Sequence, residues 1–432
     1  MKVIQTEDPS FEAIFSHIRQ RGKIFDEKLQ TDVKRIVDDV ARKGDESLFE
    51  YTKKFDGHSI NRETVMVSPK ELDALSTQVR KEDLDILKLA AERIEIYHRK
   101  QRIESWYISD EKGIKVGQRV VPMERVGIYA PGGLAAYPST VLMAAIPAKI
   151  AGVKEIVLAS PAKNGQVHPL IAAAARLCNI KKIFKVGGAQ AIAALAYGTA
   201  SIPRVDIIVG PGNAYVAAAK KMVFGQVAID MIAGPSEVLV ISDGTPDASL
   251  AAADLLSQAE HDEVASAILL TPDKPFAQEV SACVDEQLQK LPKKIIAMHS
   301  LSDYGAIIIT KDMDEAVSIA NRFAPEHLEL MVANPQKVLK KIKHAGAVFL
   351  GHSTPEALGD YIGGPNHILP TGGTARFASP LGVYDFLKRT SILSFSNRAL
   401  QKYGHSAARF AEMEGLTAHS SSITIRMNRK KS

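Results

Sequence analysis

A change of texture near residue 120 constrains this chain more than any other feature. From there on, short β-branched runs alternate with alanine-rich stretches of helical length. Candidate strands are Arg125–Tyr129, Glu155–Ala159, Ile183–Val186, Asp206–Val209 and Val227–Asp230, with helices opening near Pro138, Val167, Ala189 and Asn213. A second series follows at Val238–Ser242, Ala267–Thr271, Ala306–Thr310, Leu328–Val332 and Ala347–Leu350, with helices over about 246–261, 275–290, 312–322 and 335–344. Continuous apolar strands alternating with helices specify mostly parallel sheets covered on both faces, and two series predict two α/β domains. Before residue 120, Leu84, Leu87, Ala90 and Ile94 recur near the helical period, so 10–120 reads as mostly helical. From about 382 to the end the chain reads as helical and polar again.

The 432 residues suffice for two or three domains with a core that needs no staples. Apolar residues at 46% and charged residues at 24% match an ordinary globular chain. The 54 basic and 49 acidic residues give +5, and Arg426, Arg429, Lys430 and Lys431 fall in the last seven positions. The body is thus nearly neutral, which argues against a nucleic-acid face. Two cysteines, Cys178 and Cys283, cannot build a disulfide framework or a thiolate zinc site. The first residues lack an apolar signal region, and no run of about 18 apolar residues reads as a membrane span. The expected location is the cytoplasm.

Glycine-proline turns punctuate the expected strand ends at Pro131-Gly132-Gly133, Gly210-Pro211-Gly212-Asn213, Gly234-Pro235-Ser236 and Gly363-Gly364-Pro365-Asn366. In open parallel sheets, ligands bind beyond the carboxyl ends of strands, so these loops together predict a site. The nearest dinucleotide fingerprint runs from Gly210 to Tyr215, with tyrosine where close packing asks for a third glycine. That match is poor.

Metal ligation is the better lead. Gln258 and His261 stand three apart near the end of an expected helix that opens at Thr245-Pro246, although a lone histidine there is ordinarily a surface residue. At Ala324-Pro325-Glu326-His327, proline stiffens a turn before an adjacent acid and imidazole, two groups able to move protons. An ion-pairing surface turn is the plainer alternative. Residues 351–371 read as an irregular loop dense in Gly, Pro, Asp, Asn and His, and His367 belongs to it. Near the end, Glu414-Gly415 closes a helix just ahead of His419.

Gly127-Ile128-Tyr129-Ala130-Pro131-Gly132-Gly133, Val186-Gly187-Gly188-Ala189-Gln190-Ala191-Ile192, Gly210-Pro211-Gly212-Asn213 and Ala233-Gly234-Pro235-Ser236-Glu237 then occur in order. Gln258-Ala259-Glu260-His261-Asp262, Ala324-Pro325-Glu326-His327, Gly359-Asp360-Tyr361 and Gly415-Leu416-Thr417-Ala418-His419 continue the series. Together they closely resemble the histidinol dehydrogenase family over the whole chain. Ser420-Ser421-Ser422 replaces alanines common in the family.

The resemblance implies a zinc- and NAD-dependent homodimer that oxidises L-histidinol to L-histidine through the aldehyde, the last step of histidine biosynthesis. It implies α/β architecture: two incomplete Rossmann-like domains with parallel sheets, plus small helical N- and C-terminal domains, in an intertwined dimer. The expected division is an extension over 1–25, a discontinuous domain of 26–128 with 238–381, a second domain over 129–237, and a C-terminal domain over 382–432. By the same resemblance, Gln258, His261, Asp360 and His419 are the zinc ligands. Ser236, His327 and Glu414 join them as substrate contacts, Glu326 and His327 form the proton-transfer pair, and Tyr129, Gln190 and Asn213 contact NAD. Glu414 and His419 are expected to serve the partner subunit's site. Related enzymes oxidise other polar alcohols, such as a sulfonated propanediol, but Glu414 favours a cationic amine over a sulfonate. Neither nucleic acid nor membrane is an expected partner.

A donor set of two imidazoles, a carboxylate and an amide suits a zinc that also takes substrate nitrogens. Cys178 and Cys283 lie in helical patterns away from these motifs, so water rather than a thiolate is expected to add to the aldehyde.

Overall fold

The computed structural model describes residues 1–21, 27–132 and 136–428. Gly133, the expected border at 25/26, and the basic residues Arg429, Lys430 and Lys431 lie outside those residues. Two compact units form: Met1–Gln101 with Glu124–Phe386, and Arg102–Met123 with Leu387–Ser432. In chain order the strands begin with β1 (Lys2–Gln5), β2 (Trp106–Ser109), β3 (Ile114–Pro122), β4 (Arg125–Tyr129) and β5 (Glu155–Ala159). They continue with β6 (Lys182–Phe184), β7 (Ile207–Val209), β8 (Ala228–Ile229), β9 (Glu237–Ser242) and β10 (Ser266–Thr271). The last are β11 (Ala306–Ile309), β12 (His327–Met331), β13 (Ala347–Leu350) and β14 (Leu387–Phe395).

Both sheets of the larger unit are parallel, as the texture predicts. One runs β6-β5-β4-β7-β8 and the other β1-β11-β10-β9-β12-β13. In each, the chain builds outward from a central strand, β4 or β9, and then restarts on its other side, leaving a topological switch point beside that strand. Every residue of β9, β10 and β12 is buried; β9 and β10 read as apolar runs between polar ends, whereas β12 buries His327 and Glu329 among its apolar residues. Proline opens the helices Pro138–Ala151 and Pro169–Leu177, where its missing N–H costs nothing.

Several details depart from expectation. The helix before Gln258 is capped by Asp247, whose carboxylate accepts the Ser249 N–H at 2.8 Å, not by Thr245. Within the expected irregular loop, Glu356–Tyr361 is a short helix. Helix Lys294–Tyr304 was not foreseen. Residues 1–20 are more than an extension: β1 pairs with β11, and helix Phe11–Gln20 buries Phe11, Phe15 and Ile18 in the core of the six-stranded sheet. Helices Glu27–Lys43 and Asp45–Asp56 place Val33, Ile36, Val40 and Leu48 in the core of the five-stranded sheet, with Val157, Phe184 and Ile192. The expected division had grouped 26–128 with 238–381 instead.

The smaller unit holds an antiparallel sheet, β14-β3-β2, together with helices Asn397–Met413 and Thr417–Met427. Its strands fall where a helical reading was expected. They are largely solvent-exposed, so they lack the apolar run that marks the buried strands.

Candidate active site

The six-stranded sheet carries its chemistry at the amino ends of its strands, opposite to the expected side. Glu237 opens β9 and His327 opens β12, and the two strands are neighbours. Helix Ala248–Ala259 runs back to this edge and delivers Gln258, with His261 just past its last turn. Helix Glu356–Tyr361, after β13, returns to it with Glu356 and Asp360. Of the four glycine-proline turns, Gly234-Pro235-Ser236 therefore precedes a strand, whereas Pro131-Gly132 and Gly210-Pro211-Gly212 follow the carboxyl ends of β4 and β7.

Entry to β12 is sharp. Helix Met313–Phe323 ends at Ala324, which takes a left-handed φ of 54°, and Pro325 follows. That turn swings Glu326 and His327 into the buried edge. The His327 Nδ1–H donates to the Glu237 carbonyl at 3.1 Å, because a carbonyl can only accept. This bond sets the tautomer and leaves Nε2 as a bare lone pair, 3.8 Å from Asp360 Oδ1, with no hydrogen-bond partner. Burial lowers the imidazole pKa to about 3, so His327 is neutral at neutral pH and its Nε2 carries no proton. Glu326 Oε2 accepts the Glu237 N–H at 2.9 Å and lies 3.8 Å from His327 Nδ1. Burial first, and then the nearby Glu237 carboxylate, push its pKa well up.

His261, Glu356 and Asp360 bring one ligand atom each to within 4.8 Å of one another. Gln258 is fully buried, yet neither its amide oxygen nor its nitrogen has a partner; Glu356 Oε2 is likewise unpaired. Burial lifts Asp360 to about 6 and Glu356 well above the usual carboxylate range, while desolvation lowers His261. Unpaired buried donors and crowded carboxylates are costly without a cation among them. The residues therefore fit a divalent metal. His367, left without a role by the sequence, donates Nδ1–H to the Asp360 carbonyl at 3.1 Å and so holds the backbone of that residue.

Ser236 precedes Glu237 at the same edge, half-buried. Glu414 and His419 belong to the smaller unit and are exposed; Glu414 caps helix Asn397–Met413, and Gly415, with φ 76°, turns the chain beyond it. Two of the four expected metal ligands, His261 and Asp360, thus meet within the larger unit, joined by Glu356, and Gln258 lies on the helix that leads to His261. Sequence reasoning missed Glu356, and it missed the part played by Glu237, to which Arg21 is paired at 3.3 Å. A signal existed: an acid opening the apolar run Glu237–Ser242 asks for a partner.

The residues expected to bind NAD gather at the carboxyl ends of the five-stranded sheet. Tyr129 ends β4, and its hydroxyl accepts the Gly188 N–H at 3.2 Å. Gln190 is buried with an unpaired Nε2, and Asn213 caps helix Ala214–Val223 by accepting the Val216 N–H at 3.1 Å. Gly210, with φ 113°, follows β7 so closely that a Cβ would lie 2.1 Å from the Tyr129 carbonyl. This is the switch point between β4 and β7, where a dinucleotide lies in folds of this kind.

Comparison with known proteins decides the family. The histidinol dehydrogenase family model matches residues 19–427. The chain belongs to the histidinol dehydrogenase family. The histidinol dehydrogenases of Syntrophotalea carbinolica and Neisseria meningitidis are 52% and 49% identical to it, over 99% of this chain and 99% and 100% of theirs. A crystal structure of histidinol dehydrogenase from Elizabethkingia anophelis superposes with a TM-score of 0.93 at 38% identity, covering 99% of this chain and 98% of that one. Histidinol dehydrogenase is an NAD-dependent oxidoreductase of histidine biosynthesis, an activity that a cluster of potential metal ligands and a switch point in one chain suit.

Proposed function

We propose that this chain oxidises L-histidinol to L-histidine through L-histidinaldehyde, with Zn2+ as its metal and NAD as its electron acceptor. The observation that carries the reading is the pairing of His327, held with a bare Nε2, with the His261–Glu356–Asp360 group beside it. Gln258, His261, Asp360 and His419 would hold the metal, and Tyr129, Gln190 and Asn213 would hold NAD. When bound, the metal supplies a fixed positive charge for the substrate's amine and imidazole nitrogens, and the dinucleotide accepts each hydride.

The protein's own groups handle the protons. As the alcohol carbon gives up its hydride, His327 Nε2 takes the hydroxyl proton. Glu326 then removes a proton from the water that adds to the aldehyde carbon, while His327 returns its proton to the carbonyl oxygen and so frees Nε2 again. His327 takes the hydroxyl proton of the resulting hydrate as the second hydride leaves. Gripping the substrate far from the reacting carbon keeps the aldehyde bound between the two oxidations. Glu414 offers a carboxylate suited to the substrate's amine.

We further propose a homodimer in which Glu414 and His419 complete the partner subunit's site. Three ligands from the larger unit leave one position of a four-coordinate zinc to fill. The smaller unit also exposes Ile108, Leu393, Phe410, Met413 and Ile425, an apolar surface that self-association would cover. Among the described residues no helix is long and apolar enough to cross a membrane. A cytoplasmic location suits a biosynthetic enzyme with two free thiols. Absorbance at 340 nm with histidinol and NAD, paired with metal analysis of the purified protein, tests the reading. About two NADH per histidinol and about one zinc per subunit are expected. No histidinol-dependent NADH would overturn it.

A further inference from the structure

We propose that Arg21 is a positioning residue for both proton-transfer groups, acting through Glu237. The proposal rests on the roles assigned above to Glu326 and His327. A single residue's backbone holds both of them: the Glu237 N–H donates to Glu326 Oε2 at 2.9 Å, and the Glu237 carbonyl accepts from His327 Nδ1 at 3.1 Å. Whatever fixes the first residue of β9 therefore fixes both proton-transfer groups together.

Arg21 does that fixing. It leaves helix Phe11–Gln20 and is buried at 7% exposure, unusual for an arginine. Its Nη2 faces Glu237 Oε1 at 3.3 Å and donates to the Ser236 carbonyl at 3.5 Å. Its Nε donates to the Val264 carbonyl at 3.2 Å, and Nη1 donates to Ile18 at 2.9 Å. The guanidinium also lies 5.8 Å from the centre of the Phe323 ring, at the end of the helix that leads into Glu326. The same Oε1 also accepts the Gly372 N–H, so this carboxylate oxygen is held from two segments. A planar fork that reaches a carboxylate and three carbonyls in different segments pins a strand entrance in a way that a lysine cannot reproduce. None of these partners is an expected metal ligand.

A buried ion pair could also serve stability alone, since well-packed apolar residues often replace one at no loss. The two roles separate in kinetics. Arg21→Met should lower kcat of alcohol oxidation and of aldehyde oxidation together, each by about tenfold or more, with bound zinc unchanged. Arg21→Lys should recover part of both. Assays run well below each variant's Tm, on protein checked for zinc content, remove the contribution of unfolding. Arg21→Met kinetics within about twofold of the unmodified enzyme, whatever its Tm, would overturn the proposal. So would a loss confined to one of the two oxidations. If Arg21→Met fails to fold, Arg21→Lys decides: a parallel loss in both oxidations supports the proposal and unchanged kinetics refute it. Failure of the unmodified enzyme to make NADH from histidinol would instead sink the underlying functional reading.

Discussion

His327 owes its role to one backbone bond. With Nδ1–H committed to the Glu237 carbonyl, only Nε2 can act, and His327→Asn removes that lone pair. Alcohol oxidation should fall by about 10² or more, measured as NADH formation from histidinol. Glu326→Gln keeps an oxygen to accept the Glu237 N–H but cannot take a proton from water, so aldehyde oxidation should slow more than alcohol oxidation. Equal losses in both would contradict the division of labour. The thiols should not matter: burial pushes Cys178 up to about 12, and Cys283 lies on helix Lys274–Leu288, behind β9 and β10. Cys178→Ala with Cys283→Ala should retain turnover; its loss in a folded protein would restore a thiolate route. At this scale the sequence was legible where chemistry sits in a dense motif, as at Glu326-His327. It was silent where a role depends on a distant partner. Nothing near Arg21 in the chain hints that it meets Glu237, and nothing local shows Glu356 facing His261.

Among the elements, the parallel strands were legible because burial on both faces writes itself as unbroken β-branched runs. Strands β4, β5 and β13 match their expected bounds residue for residue. Strands β3 and β14 were not, since antiparallel pairing on a solvent-facing sheet requires no such run. Where the glycine fingerprint fails, Asn213 caps helix Ala214–Val223 through its side chain. The cap and the proposed contact with NAD can be tested apart. Asn213→Ala should cost about 1 kcal/mol through the lost cap and also raise KM for NAD, whereas Asn213→Ser should keep the cap and show the KM effect alone. A thermal melt and an NAD titration check both. Unchanged KM in both variants would remove Asn213 from the dinucleotide site.

Over the whole molecule, the buried acids make metal loading and pH one question. Asp360 titrates near 6, above its usual range, so the empty fold is favoured by its protonation: that gain is full below the ordinary aspartate pKa of about 4 and is lost as pH rises through about 6. The metal requires the ionised form, so it should leave as pH falls from 7.5 towards 5, read by equilibrium dialysis. Chelation at pH 7.5 should lower Tm more than chelation at pH 5. A metal content flat across this range would contradict the ligand assignment. Shared sites have their own signature. Asp360→Ala and His419→Ala should each be inactive, and dissociating and reassociating a one-to-one mixture should restore about a quarter of full activity. Mixtures that stay dead would confine each site to one chain. The exposed apolar side chains of Phe410 and Met413 were not legible as a surface, because the helix that carries them reads as polar in the sequence.

The placement of Arg21 reaches beyond kinetics to how such chains are trimmed for study. A fragment starting at residue 27 would keep all the motifs that mark the family. It would nonetheless lose an edge strand, three buried side chains of the leading helix, and the cation that anchors the start of β9. Motif inspection would pass that fragment as intact; the bench would find it inert.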